Sequence, residues 1–194
     1  ARDLARRLGE IPIKSLRSSP LERCEDTIAP WLQKFSDSNP RLTLQMDEGL
    51  SEVDYGYWTG RKLRALSKEP LWKKVQEKPS LVTFPNGESL RNVQMRAIKA
   101  VIRGLEKRGR GHVAIISHGD VLKAIIASAL NLHLDEFQRI VIDPASVSIL
   151  DYSSSTPRLI LMNDSRSRLN QDLFLNRLPR LHVGGGAGLP SSGK

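Results

Sequence analysis

A short apolar run, His112–Ile116, leads directly into the tripeptide Ser117-His118-Gly119. The run is short and rich in β-branched residues, which predicts a buried strand of a parallel sheet. The apolar-periodic run that begins after Asp120 predicts a helix. His118 is therefore expected at the carboxyl end of a strand, where open α/β sheets place their ligand-binding residues. A strand-to-helix turn that merely contains a histidine would give the same pattern, so the tripeptide alone leaves both interpretations open.

Several predicted elements must position this histidine. Residues 1–8 are typical of the end of a helix, and residues 11–16 of a strand. The sequence Ser19-Pro20-Leu21-Glu22 predicts the start of a helix that runs to about Phe35, with Ser19 as its N-cap and Glu22 completing a capping box. Residues 47–60 are rich in glycine, acidic and aromatic residues and lack a clear periodicity, which indicates a functional loop.

The rest of the chain continues the alternation of helices and strands. The further predicted elements are short helices at 62–67 and 71–76, a long amphipathic helix that starts near Leu90 after the turn Pro85-Asn86-Gly87, and strands at 147–152 and 158–162. With 194 residues, the chain is long enough for one layered α/β domain.

Composition narrows the class of protein. No apolar stretch reaches the roughly 18 residues that a membrane span needs, and no signal peptide is visible. A single cysteine, Cys24, excludes an internal disulfide framework and fits a reducing cytoplasm. Because Cys24 stands among helical residues, we interpret it as a small packed side chain rather than a reactive thiol.

The formal net charge of +9 favours anionic partners, which include nucleic acid, a membrane surface and phosphorylated small molecules. Much of the excess falls on the long amphipathic helix and the residues after it: Arg91, Arg96, Lys99, Arg103, Lys107, Arg108 and Arg110. We interpret these residues as a solvated helix face. The alternative is a nucleic-acid-binding surface, although no recognisable reading motif accompanies the charge.

Three segments, taken in order, carry a resemblance to a known family. They are Ser18-Ser19-Pro20-Leu21-Glu22-Arg23-Cys24-Glu25-Asp26-Thr27, then Leu50-Ser51-Glu52-Val53-Asp54-Tyr55-Gly56-Tyr57-Trp58-Thr59-Gly60, then Gly87-Glu88-Ser89 followed by Ser117-His118-Gly119. The chain resembles the histidine phosphatase superfamily, the phosphoglycerate mutase-like proteins, over residues 1–163. The run from Phe137 to Ser148 is similar to an actinobacterial branch described as phosphomutases. The resemblance implies a three-layer α/β/α fold around a mostly parallel sheet.

The resemblance also implies a phosphohistidine mechanism, in which a nucleophilic histidine takes the phosphoryl group and water or a second substrate removes it. Arg23 matches the family's pocket arginine, whose planar fork grips two phosphate oxygens. Glu52 matches the general acid, and His118 a second histidine that stabilises charge on the phosphoryl oxygens. Gly119 belongs to the phosphate-binding set, because backbone N–H groups at a helix start attract anions. No metal or cofactor is expected.

Glu88, Asp54 and the aromatic residues of the loop receive plainer interpretations. Glu88 precedes a helix, where a carboxylate favours the N-terminal dipole, so we interpret it as structural first. Asp54 is expected to support the loop. Tyr55, Tyr57 and Trp58 are expected to pack locally.

One departure from the family's pattern is large. The nucleophile of the family lies in an Arg-His-Gly motif after its first strand, and that motif is absent from these 194 residues. We therefore expect a domain over residues 1–163 that is incomplete at its N-terminus, with the first strand missing from the sheet and its two neighbours unpaired. Residues 164–194 are predicted to form a polar, glycine-rich tail, in which the P-loop-like spacing of residues 188–194 is a chance match.

These observations predict a cytoplasmic phosphatase or phosphomutase that acts on a phosphorylated small molecule. Because the nucleophile is missing, we expect this chain to be inactive alone. The alternatives are a non-catalytic remnant that binds phosphorylated ligands and, less favoured, a basic nucleic-acid-binding protein. The oligomeric state is not predicted.

Overall fold

The computed structural model describes residues 1–35, 42–107 and 111–169. The elements in chain order are α1 (Arg2–Leu8), β1 (Ile13–Ser18), α2 (Glu22–Phe35), β2 (Leu44–Met46), α3 (Leu63–Leu66), α4 (Pro70–Glu77), α5 (Leu90–Lys107), β3 (His112–Ile116), α6 (Gly119–Ala129), β4 (Val147–Asp151) and β5 (Arg158–Asp164). Short 3-10 turns lie at Glu48–Leu50, Gly56–Trp58, Pro79–Leu81 and Leu134–Arg139. The predicted helices and strands are therefore confirmed, with ends that differ by one or two residues.

The central sheet is parallel and has the order β2-β1-β3. Leu16 in β1 is aligned with Leu44 on one side and Ala114 on the other, so β1 is paired along both edges. The parallel setting predicted for His112–Ile116 is confirmed. The strands β4 and β5 form a separate antiparallel pair.

Helices cover both faces of this sheet. One apolar cluster joins α1 and α2 to β1 through Ala5, Ile13, Leu16, Ile28 and Trp31. A second cluster combines α5 and α6 with the segment between β2 and α5 and with the turn Leu134–Arg139. Its fully buried members include Leu50, Val82, Leu90, Val93, Val121 and Phe137. Burial of an apolar face on each side of the sheet is what holds a layered α/β domain together, and the predicted three-layer fold is confirmed.

A gap separates β3 from β4, which belong to different sheets. A cavity of about 650 Å³ lies there, which we name the β3–β4 groove; it is lined by all of His112–Ile116, by residues 147–150 and by apolar side chains that include Leu4, Leu8, Val101, Leu105 and Ile126. The β3 residues are only half-buried, whereas the sequence predicts a buried strand. The reason is the groove itself, since within the part of the chain that the structure describes the side chains of β3 line this cavity.

Two local predictions need correction. The helix α2 begins at Glu22, although the Ser19 hydroxyl oxygen accepts a hydrogen bond from the Leu21 backbone N–H at 3.3 Å, as the predicted cap would. The predicted capping box is wrong, because the Ser19 backbone N–H donates to the Ile116 carbonyl oxygen at 2.9 Å. The strand β1 begins at Ile13, after Pro12, which has no backbone N–H to donate to a ladder.

Within the residues that the structure describes, no helix is long and apolar enough to cross a membrane. Residues 170–194 lie outside the described residues, and so does most of the predicted tail, including the P-loop-like spacing at 188–194. Arg108 and Arg110 of the basic stretch also fall outside them.

Candidate functional site

Two neighbouring parallel strands deliver the predicted site residues to one edge of the sheet. β1 ends at Ser18, and the first turn of α2 that follows carries Arg23. β3 ends at Ile116, and His118 is the N-cap of α6. Because the carboxyl ends of parallel strands meet at the same edge, Arg23 and His118 come together although they are 95 positions apart in the chain.

The His118 side chain is 4% exposed and is held by partners on both ring nitrogens. Arg23 donates to Nδ1 through Nε at 3.3 Å, and Nε2 lies 2.8 Å from the Ser19 hydroxyl oxygen. Since an arginine can only donate, Nδ1 is the acceptor, and the ring proton of the neutral tautomer is assigned to Nε2, where it points at Ser19. The Cys24 sulfur lies 3.6 Å from the same Nε2.

Burial and nearby positive charge favour the neutral form of His118. Burial lowers the pKa of His118, and the positive charges of Arg23 and Arg96 lower it further, to about 4. Its unprotonated Nδ1 therefore faces the guanidinium group of Arg23. The family resemblance implies a donor at this position, and Nδ1 can fill that role once it carries a proton.

Glu52 reaches the same point from the loop between β2 and α3. Its Oε2 lies 3.5 Å from Arg23 Nη2 and 3.5 Å from His118 Nδ1, while its Oε1 accepts a hydrogen bond from the backbone N–H of Val53 at 3.0 Å. Burial raises the pKa of Glu52 and outweighs the opposing effect of the arginines. A carboxyl group with a raised pKa is suited to carry a proton, as a general acid must.

Arg23 and Gly119 leave room for a ligand beside this pair. The Arg23 side chain is 60% exposed, so its remaining N–H groups are accessible to an anion. A Cβ added at Gly119 would meet no heavy atom within 4 Å, which means that the start of α6 faces open space. The structure thus brings together all four predicted site residues: Arg23, Glu52, His118 and Gly119.

The two arginines Arg96 and Arg103 of α5 correct the interpretation of its basic residues as a solvated face. Arg103 binds the buried carboxylate of Asp47, with Nη2 at 2.6 Å from Oδ1, and Arg17 binds the same carboxylate from β1. Burial alone would raise the pKa of Asp47, but hydrogen bonds from Arg103 and Arg17 hold it below its ordinary value. Arg96 hydrogen-bonds the loop that carries Glu52. Helical periodicity could not find these roles, because their partners lie in an irregular segment.

The aromatic residues of the loop, which the sequence predicts to pack locally, are not all buried. Trp58 is buried against Phe84, whereas Tyr57 is 68% exposed, so local packing is wrong for Tyr57. The Tyr55 hydroxyl donates to Asp120 at 3.0 Å and links the loop to α6. Asp54 accepts a hydrogen bond from the backbone N–H of Gly56 through Oδ1 at 2.9 Å, as a loop-supporting residue would.

The described residues contain no group of three or more histidine, cysteine, aspartate or glutamate side chains that could hold a metal ion. Cys24 is buried, and burial raises the pKa of its thiol, which disfavours the reactive thiolate.

Gly56 is expected to be essential for the shape of this loop. Its φ is +51°, and an added Cβ would lie 2.1 Å from the Pro85 carbonyl oxygen. We expect Gly56→Ala to lower the free energy of unfolding by about 2 kcal/mol, measured by urea denaturation. Gly60→Ala is the matched control, since Gly60 has a φ of +75° with nothing within 4 Å, and should cost about 1 kcal/mol or less. Equal losses in both variants would contradict a steric role for Gly56.

The layered fold, with helices on both faces of a parallel sheet, matches the solved folds of phosphoglycerate mutase-like phosphatases. The chain belongs to the histidine phosphatase superfamily (branch 1), whose family model matches residues 1–165. This is a family of enzymes of the phosphatase and phosphomutase type.

Individual proteins of known name are similar to this chain in sequence or in structure. The chain is 29% identical over 161 residues to "Bifunctional protein Rv2228c" of Mycobacterium tuberculosis, covering 81% of this chain but 42% of that protein. It is 27% identical to "Phosphoserine phosphatase 1" of Hydrogenobacter thermophilus, covering 84% of this chain and 76% of that protein. A mycobacterial glucosyl-3-phosphoglycerate phosphatase in complex with inorganic phosphate has a similar fold, with a TM-score of 0.73, 22% identity, and 84% and 83% of the two chains covered.

Proposed function

We propose that this chain provides the phosphate pocket and the acid group of a phosphatase or phosphomutase that acts on phosphate monoesters. The observation that carries the proposal is the meeting of Arg23, Glu52 and His118 within 3.5 Å at the carboxyl edge of the sheet. An arginine, a carboxyl group that favours its proton and a histidine can bind the phosphoryl oxygens, protonate the leaving group and stabilise the developing charge, but a nucleophile is needed in addition.

Each residue has a separate role in this proposal. Arg23 binds two phosphoryl oxygens through its exposed guanidinium fork. His118 takes up a proton on Nδ1 as the dianion binds, and then donates that proton to a phosphoryl oxygen as a hydrogen bond. Glu52 protonates the leaving oxygen and afterwards takes a proton from the attacking water or alcohol. The open space at Gly119 admits the phosphoryl group to the backbone N–H groups of α6.

The nucleophilic histidine is proposed to come from a polypeptide segment outside these 194 residues. The β3–β4 groove supports this, because among the described residues it lies between strands of two different sheets and is lined by Arg23, Glu52 and His118. A strand inserted parallel to β3 would cover the apolar lining of this groove. The residues after that strand would then enter the phosphate pocket, and the chain without them is proposed to be inactive.

The experiment is complementation of the purified chain with a synthetic peptide. The peptide has a six-residue strand of valine and isoleucine followed by Arg-His-Gly, and the control peptide carries glutamine in place of its histidine. We expect hydrolysis of p-nitrophenyl phosphate only with the first peptide, together with an acid-labile phosphohistidine signal in ³¹P NMR. Both should disappear in the His118→Gln variant of the chain.

Two results would contradict the proposal. Turnover by the chain alone, lost in His118→Gln, would show that no external nucleophile is needed. A chain that binds the peptide and orthophosphate but never turns over would favour the alternative, a non-catalytic remnant that binds phosphorylated ligands. That alternative rests on the absence of Arg-His-Gly from the sequence.

The substrate proposed is a phosphorylated small molecule. The names of the relatives include a phosphoserine phosphatase and a glucosyl-3-phosphoglycerate phosphatase, whose leaving groups differ widely. The shared part of these substrates is the phosphate ester, for which Arg23 and His118 are suited. The single cysteine supports assignment to the reducing cytoplasm. Residues 170–194 are proposed as the tail, and the predicted domain end at residue 163 moves outward, because Asp164 ends β5 and Leu169 is buried in the apolar cluster of α1, α2 and β1.

A further inference from the structure

The Arg96 side chain, which comes from the middle of α5, uses all five of its N–H groups. Nε donates to Glu88 Oε2 at 3.0 Å, and Nη2 donates to Glu88 Oε1 at 2.6 Å and to the Glu52 carbonyl oxygen at 3.1 Å. Nη1 donates to the carbonyl oxygens of Gly49 at 3.0 Å and Ser51 at 2.7 Å. Because a guanidinium group has five N–H donors, this arginine is fully committed to the protein.

Glu88 hydrogen-bonds the loop backbone on the C-terminal side of Glu52. Its Oε1 accepts a hydrogen bond from the backbone N–H of Asp54 at 2.9 Å, and its own backbone N–H donates to the Asp54 carbonyl oxygen at 3.0 Å. Arg96 holds the chain at and before Glu52, and Glu88 holds it two residues later. The ion pair therefore fixes the loop on both sides of the proposed acid.

This arrangement matters because the carboxyl group of Glu52 has few direct anchors. Its Oε1 is bonded to the N–H of the next residue, Val53, and its Oε2 stands 3.5 Å from Arg23 and His118. A hydrogen bond to an adjacent residue moves with the loop, so it cannot fix the loop in space. The position of the carboxyl group relative to His118 must come from the backbone contacts of the loop.

We propose that Arg96 and Glu88 are positioning residues, which fix the backbone of Glu52 so that its carboxyl group faces Arg23 and His118. The inference rests on the proposed function in so far as Glu52 is the group that transfers the proton. It adds two residues, one interpreted from the sequence as part of a solvated face and the other as structural first.

The planar geometry of the Arg96 guanidinium group, more than its positive charge, fixes the loop backbone. Two parallel hydrogen bonds to the Glu88 carboxylate leave the other edge of the guanidinium group aimed at the loop carbonyls. A lysine has three donors on one point charge and cannot reach acceptors in these separate directions. Arg96→Lys therefore keeps the positive charge near Glu52 and removes the geometry.

The test follows the titration of the Glu52 carboxyl carbon by ¹³C NMR in glutamate-labelled protein, with Glu52→Gln used to assign the signal. In the wild type we expect Glu52 to titrate above its ordinary pKa of 4.5, because the carboxyl group is buried. In Arg96→Lys and Glu88→Gln the carboxyl group should enter water, and its pKa should fall toward 4.5. Lys99→Ala, an exposed change on the same helix, should leave the titration unmoved.

If the ion pair between Arg96 and Glu88 only stabilised the fold, the result would be different. In that case Arg96→Lys or Glu88→Gln would lower the melting temperature yet leave the Glu52 titration unchanged, which would overturn the proposal. If neither variant folds, amide exchange in the wild type decides. The Asp54 N–H should then exchange only through global unfolding, and rapid exchange would show that Glu88 does not hold the loop. None of these readouts requires turnover, so they stand apart from any failure of the phosphatase proposal.

Discussion

Arg23→Ala is expected to weaken the binding of orthophosphate to this chain by about 100-fold. The fork of Arg23 is exposed beside His118, and hydrogen bonds between charged groups contribute about 1.5–3 kcal/mol each. Loss of one such interaction at the upper end of that range corresponds to about two factors of ten in the dissociation constant. Titration calorimetry with orthophosphate at constant pH and ionic strength measures the change directly.

Two further variants make this prediction specific. Arg23→Lys keeps the charge but not the fork, so its affinity should lie between those of the wild type and Arg23→Ala. Arg139→Ala is the matched control, because Arg139 is 80% exposed and pairs with Glu136 within one helical turn. A similar loss in Arg139→Ala would mean that the net charge of the chain, and not the pocket, attracts phosphate. No loss in Arg23→Ala would remove this arginine from the site.

Most elements of the fold were predictable because each has a local pattern; the three-residue strand β2, which the sequence analysis did not predict, is too short to show one. The β-branched run at His112–Ile116 and the periodic runs of the helices identify strands and helices without reference to the rest of the chain. The positions of Arg23, Glu52 and His118 followed from the family resemblance, and the parallel sheet explains why they meet. Burial of β3 was overestimated, since the sequence of a strand does not reveal whether a neighbour is present.

The residues that hold the site residues in place, such as Arg96 and Ser19, could not be predicted from local patterns. Arg96 shares the polar stripe of α5 with Lys99, and nothing in helical periodicity separates an arginine that binds loop carbonyls from an exposed lysine. Its acceptors are backbone oxygens, which carry no side-chain signature. The contact between Ser19 and His118 was hidden for another reason: a serine before proline is also a good helix cap, and local propensity favoured that role.

Acidification is expected to destabilise this protein between about pH 6.5 and pH 4, and His118 is the cause. The buried ring has a pKa near 4 in the folded chain and 6.5 as its ordinary value, so the unfolded state binds more protons between these limits. The free energy of unfolding should therefore fall as pH is lowered through this window, by up to about 3 kcal/mol at 1.36 kcal/mol per pH unit. Glu52 opposes part of this loss, because its raised pKa makes the folded state bind a proton more readily.

Urea denaturation at several pH values between 7 and 4 measures the slope. In His118→Gln the slope across this window should be largely removed, and in His133→Gln, where the histidine is exposed, it should be retained. The same slope should shrink when orthophosphate is present, since a bound dianion stabilises the protonated ring. A slope unchanged in His118→Gln would show that folding does not lower the pKa of His118. In that case the neutral ring held between Arg23 and Ser19 would not be the form that burial and charge favour, and proton uptake on phosphate binding would no longer follow from that contact.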